Sequence, residues 1–187
     1  MDNYNWIRIA NVTEPTDEPI SLDDVRQHLR LDNEDHDDYL STLITVARHE
    51  AQLITKRRFG EQVVEVYFRH WRPLRLYGCG VVEDVDIYFR DVKNGWQPIA
   101  AETFELVKST PAWINYHKDF SEPLHKDFYE LVKVVASCGE PLPPAVKQWC
   151  LLRIGTMFEN READAEKVVS PQAFALELLR THIILDF

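Results

Sequence analysis

The sequence predicts an α+β fold: a helical bundle built from both ends of the chain, with an antiparallel β unit, a small sandwich or barrel-like one, inserted between them. Three observations predict it. Apolar residues recur at intervals of three and four over residues 21–59 and again after Pro143. Between these stretches the period drops to two, as in strands with one buried face. Turn residues, above all Asn94-Gly95, cut the middle of the chain into short runs. The resulting division is an N-terminal arm (1–19), a helical unit (20–61 and 142–187) and an inserted β unit (62–141).

Residues 1–19 read as an arm. Trp6, Ile7 and Ile9 give one short apolar stretch, and TEPTDEP then sets two prolines among three acids, which cannot sustain a helix. Ser21 stands at an N-cap position with Asp23 and Asp24 behind it, where carboxylates meet the positive end of a helix. Leu22, Val25 and Leu29 follow at helical spacing, so SLDDVRQHLRL (21–31) is a short amphipathic helix. The acidic linker DNEDHDD leads into the longest helical pattern, Asp38 to Phe59. Leu40, Leu43, Ile44, Ala47, Ala51 and Ile54 line one face of it. Lys56, Arg57 and Arg58 complement its negative end, and Gly60 is placed to supply a left-handed cap.

The β unit opens with VVEVYF (63–68), where Val64, Val66 and Phe68 alternate with Glu65 and Tyr67. VDIYFRD (85–91) repeats the pattern, and the turn at Asn94-Gly95 brings Trp96 to Val107 back as its partner. Ala112–Tyr116 and Phe128–Ala136 complete the set. Pro144 fits a first helical turn, and in AVKQWCLLRIGTMFENRE apolar residues cover nearly the whole circumference, which puts this helix at the centre of the helical core. Ser170-Pro171 opens a last helix, with Phe174, Leu178 and Leu179 on its apolar side.

The chain has 187 residues, 45% of them hydrophobic, enough for one sizeable core or a core and a satellite. No apolar run approaches the roughly 20 residues that span a bilayer, and MDNYNWIRIAN lacks the basic and apolar regions of a secretory signal. No membrane partner is expected. Cys79, Cys138 and Cys150 are odd in number and form no CxxC pair, which predicts folding in a reducing cytoplasm without disulfides. A formal charge of -10 opposes any general grip on nucleic acid.

The six glycines form neither a GxxxxGK[ST] nor a GxGxxG run, no GxSxG elbow occurs, and the seven histidines make no pair at metal-ligand spacing. No catalytic residue, metal or cofactor is therefore assigned. A thiol enzyme would have to use Cys79 in Gly78-Cys79-Gly80 with His70, and a small hydrolase the acidic pair Glu83 and Asp84; a turn with an incidental cysteine accounts for the first. Asp32, Glu34, Asp35, Asp37 and Asp38 around His36 offer carboxylates for calcium, but without the glycine and terminal glutamate of a calcium loop. The plainer reading is a solvated interhelix loop, with Asp37 or Asp38 capping the long helix.

Two features point to partners. Arg48, Lys56, Arg57 and Arg58 form a basic cluster suited to DNA phosphates, to acids on a neighbouring subunit, or simply to a helix C-terminus. The tail His182-Ile183-Ile184-Leu185-Asp186-Phe187 is apolar where chain ends usually fray, so it either returns to the core or docks on a partner, for example as an added strand.

Taken in order, these segments resemble the head-tail connector (head-completion adaptor) proteins of tailed bacteriophages. SLDDVRQHLRLD (21–32), the acidic gap and DDYLSTLITVARHEAQLITKRRF (37–59) look like the opening of that family. LPPAVKQWCLLRIGTMFENRE (142–162) is similar to its second signature, a helix ending in Glu-Asn-Arg-Glu, and ALELLRTHII (175–184) looks like its closing helix and tail. Thr55-Lys56-Arg57 stands where many relatives carry Thr-Gly-Arg, and residues 109–130 match poorly.

The resemblance implies a structural adaptor and not an enzyme, in the neck of a virion or phage-like particle, assembled in the host cytoplasm. It implies a twelvefold homo-oligomeric ring beneath the portal protein, extending the DNA channel and offering a surface to the next neck or tail-completion protein. The tail 182–187 would dock on the portal. Acidic charge repeated around a ring would keep passing DNA off the wall and would oppose self-assembly until the portal templates it. The nearest alternative is a neck or tail-completion protein further down the joint; a small hydrolase or thiol enzyme and an acidic DNA mimic are the readings of other classes.

Overall fold

Ser21 opens the first helix as its sequence position predicts, and closes a capping box. Its Oγ accepts from the Asp24 N–H at 3.1 Å, and the Asp24 carboxylate accepts from the Ser21 N–H. The computed structural model describes residues 6–10, 13–123, 128–160 and 173–184. In it, α1 (Leu22–Leu29) ends at a left-handed Arg30, and α2 (Asp37–Thr55) follows. Neither Asp37 nor Asp38 caps α2. His36 holds the cap position without a side-chain bond, because Asp37 instead pairs with Arg26 of α1.

α2 stops at Thr55, short of the Phe59 that its pattern suggested. Lys56, not Gly60, takes the left-handed cap at φ 57°. The cause is tertiary: the Gln52 amide oxygen accepts the Phe59 N–H at 2.9 Å, and Phe59 is fully buried in the helical core. α3 (Pro144–Glu159) packs against α1, α2 and α4 (Ala173–Arg180), the central position its wide apolar girth predicts. Leu40, Ile44, Ala47, Ala51, Val146, Cys150, Ile154 and Leu179 fill this core. Residues from both ends of the chain thus share one hydrophobic core.

The β unit has a second core of its own. Its strands are β2 (Gln62–Phe68), β3 (Leu74–Leu76), β4 (Val82–Asp91), β5 (Gly95–Pro98), β6 (Phe104–Val107), β7 (Ala112–Tyr116) and β8 (Val132–Cys138). β8 lies at the centre of a five-stranded sheet ordered β1-β2-β8-β4-β5, where β1 is Trp6–Ala10. Val64 stands opposite Ala136, Val66 opposite Val134, and Ile87 opposite Val134 on the other side. A three-stranded sheet, β3-β7-β6, brings Leu74, Leu76, Ala112 and Ile114 to the same core. Two sheets over one core make the sandwich of the two expected forms.

Three expectations change. The arm is joined to the body: β1 pairs antiparallel with β2, Ile9 opposite Val66, and the Thr13 N–H bonds Val63. Trp96 to Val107 is two strands, because Pro98 brings no N–H to the ladder and a short 3-10 turn at Ala101–Thr103 carries the chain across to the second sheet. The strand drawn from Phe128 begins at Val132.

The two units are joined where residues 52–62 run beside Glu140. The Gly60 N–H donates to the Glu140 carbonyl at 3.1 Å, and the Glu140 N–H to the Arg58 carbonyl at 3.0 Å. Gln62 donates from Nε2 to Gln52 Oε1 at 2.7 Å and to the Phe59 carbonyl at 2.9 Å. The chain leaves the helical unit and returns to it across this hydrogen-bonded seam.

Candidate functional site

α2 and the tail deliver the residues of interest, and burial sorts them into an inner and an outer set. Arg48 belongs inside, with its side chain 0% exposed. Its Nε donates to Glu18 at 2.8 Å and its Nη2 also reaches Glu14, while His49 Nε2 lies 3.0 Å from Glu14. Arg48 therefore cannot meet DNA or a neighbouring subunit; it ties residues 13–20 to α2. Desolvation pushes the Glu14 carboxyl up, but the hydrogen bonds from Arg48 and His49 prevail and hold it below the usual carboxylate range.

Arg57 is also engaged within the chain. Its guanidinium pairs with Glu140 at 2.9 Å, and its Nε donates to the His182 carbonyl at 2.6 Å. Lys56 and Arg58 are partly exposed on a groove of about 550 Å³, with Ile9, His49, Leu53 and Tyr77 beside them. Leu53 is 80% exposed there. The outer set is thus Lys56 and Arg58 around Leu53.

The tail returns to the body as far as it is described. Ile184 is buried, and its N–H donates to the Thr55 carbonyl at 3.0 Å. Ile183 and Ile184 join Arg57, Arg75, Tyr77 and Pro111 around a hollow of about 390 Å³ between tail and β unit. Leu185, Asp186 and Phe187 lie outside the described residues, as does Ser170-Pro171.

The residues considered for catalysis are poorly placed for it. Cys79 is fully buried, and burial pushes its thiol well above the ordinary range, while His70 is exposed. Burial also raises Cys138 to about 11 and Cys150 to about 12. Glu83 pairs with Lys108 in solvent at 3.3 Å, and Asp84 is exposed. In the acidic loop, Asp37 and Glu34 face Arg26, and Asn33 donates to Asp35. Among the described residues no His, Cys, Asp or Glu group is arranged to hold a metal ion.

Sequence reasoning missed the seam. Its signal was available: Gln52 sits on the apolar face of α2 and Gln62 opens an apolar strand, two polar residues at core positions that had to satisfy each other.

Residues 19–74, which include α1, α2 and β2, match the model of the phage gp6-like head-tail connector protein family. A search of curated proteins finds no match. Among solved structures, a chain from the neck of an empty gene transfer agent particle computed with C6 symmetry is similar at a TM-score of 0.78 and 16% identity, covering 97% of each chain. A chain from the virion of a native gene transfer agent particle gives 0.75 at 16% identity, again over 97% of each. One from the neck of the native particle computed with C12 symmetry gives 0.74 at 15%, with the same coverage. The resemblance read over residues 21–59 lies within the connector match, and the α+β fold is shared across the chain.

Proposed function

We propose that this chain is a structural adaptor at the head-tail joint of a tailed phage or phage-like particle, where copies form a ring that continues the DNA channel. The observation that carries this reading is the agreement of two independent likenesses. The first helices match a connector family, and the whole fold matches chains of particle necks over 97% of their length. The solved neck with C12 symmetry supports twelve copies in the ring.

The mechanism is binding without chemistry. The groove at Leu53, Lys56 and Arg58 is the contact to a neighbouring copy, and the β unit faces the next neck or tail-completion protein. Leu185, Asp186 and Phe187, held at their root by the buried Ile184, engage the portal protein. The formal charge of -10, repeated around a ring, keeps DNA mobile by repulsion.

Deleting residues 185–187 is expected to abolish portal binding and leave the fold intact; unchanged binding would remove the tail from that role. Deletion from 181 onward is a poorer test, since it also strips Ile184 from α2. Electron micrographs of particles made without the gene are expected to show DNA-filled heads beside separate, complete tails. Joined particles would reject the reading. Heads that already carry a ring beneath the portal would place this chain further down the joint.

A further inference from the structure

The described part of the tail ends beside the open groove on α2. The Ile184 N–H donates to the Thr55 carbonyl at 3.0 Å, and Thr55 is the last residue of that helix. Tyr77 stands with Ile184 around the hollow between tail and β unit, and it also lines the groove at Leu53, so the two depressions adjoin. Leu185, Asp186 and Phe187 follow Ile184 in the sequence. Extended, three residues reach about 10 Å. One helical turn is about 5.4 Å, so from Thr55 they can pass Gln52, Leu53 and Lys56, all of which line the groove.

The groove and this segment are complementary in charge and in polarity. Its described lining holds Lys56 and Arg58 and neither Asp nor Glu, in a chain whose formal charge is -10. Arg58 enters no ion pair among the described residues. Ile9, Leu53 and Tyr77 supply apolar surface, and Leu53 is 80% exposed. Side chains alternate along an extended segment. Leu185 and Phe187 can therefore share the apolar surface while Asp186 is left for Lys56 or Arg58.

We propose that the groove is the docking site of this chain's own residues 185–187, occupied in the free molecule. The short link to Ile184 makes this contact intramolecular, which favours it over the tail of a second copy at ordinary concentrations. Its consequence rests on the adaptor reading, in which the same groove meets a neighbouring copy and the same segment meets the portal protein. A chain in solution then covers its own contact surface. Transfer of the segment to the portal uncovers it, so ring growth begins where a portal is present.

The test uses the full chain in solution, isotope-labelled for magnetic resonance. Through-space proton contacts are expected between the Phe187 ring and the Leu53 methyls. The double variant Leu185→Ser with Phe187→Ser is expected to shift the Leu53, Lys56 and Tyr77 signals and to leave Val92, in the β4–β5 turn, in place. In an equal mixture of labelled and unlabelled chains the contacts are expected within chains. Contacts between chains would overturn the proposal, as would an unmoved groove without contacts. In sedimentation at about 0.3 M salt, the variant is expected to self-associate about tenfold more tightly than wild type, the factor for a groove covered about nine-tenths of the time. Contacts within chains with unchanged self-association would uphold the docking and reject instead the groove as the contact between copies.

Discussion

Arg48 shows how one residue's role is decided by what lies around it. It follows Ile44 by one helical turn, on the face α2 buries, so its burial was written in the spacing. Its partners were not: Glu14 and Glu18 sit in a proline-bearing segment that only the tertiary fold brings over α2. Replacing Arg48 with alanine is expected to lower the unfolding free energy by about 2 kcal/mol, measured by urea denaturation, since it removes the buried side chain that ties Glu14 and Glu18 to α2. The Glu14 carboxyl is held below its usual value near 4.5, so its contribution is fully present above that pH and is lost as pH falls through the lower folded value. Protection of the Thr13 amide, which bonds Val63, is expected to fall on acidification, relative to the intrinsic exchange rate, before that of the α3 amides does. Simultaneous loss of both sets of protection would contradict that account.

At the scale of elements, long periodic segments were legible and their ends were not. α2 and α3 follow from spacing alone, because one face must be covered whatever covers it. The end of α2 depends on Gln52 capturing the Phe59 amide, and the break between β5 and β6 on which sheet has a free edge, facts absent from local sequence. Two glycines separate local from tertiary demands. A Cβ at Gly139 would stand 2.1 Å from the Gly60 carbonyl oxygen at φ 144°, whereas at Gly95 (φ 72°) nothing lies within 4 Å. Gly139→Ala is therefore expected to cost about 3 kcal/mol by thermal or urea melts, and Gly95→Ala about 1 kcal/mol. Similar costs at both would show that the seam tolerates displacement. Leu53, 80% exposed, makes the converse case: Leu53→Lys is expected to change stability by less than about 0.5 kcal/mol while weakening the contact between copies proposed for it.

For the whole molecule, charge and connectivity set the behaviour. Copies carrying a formal charge of -10 repel one another, so self-association followed by sedimentation is expected to rise as salt increases from about 0.02 to about 0.3 M. A fall over that range would mean that attraction between charged patches governs the contact. The seam has an evolutionary meaning as well. Because Gly60 and Glu140 lie side by side, the β unit enters and leaves the helical scaffold through one doorway. Recombination within a single stretch of gene can then swap that module for a longer or shorter one without moving the helices. The edge on which β1 rests, and the face beside Tyr77 and Pro111 that Ile183 and Ile184 meet, would have to change with it. A lineage built this way can renew one surface of the protein while conserving another.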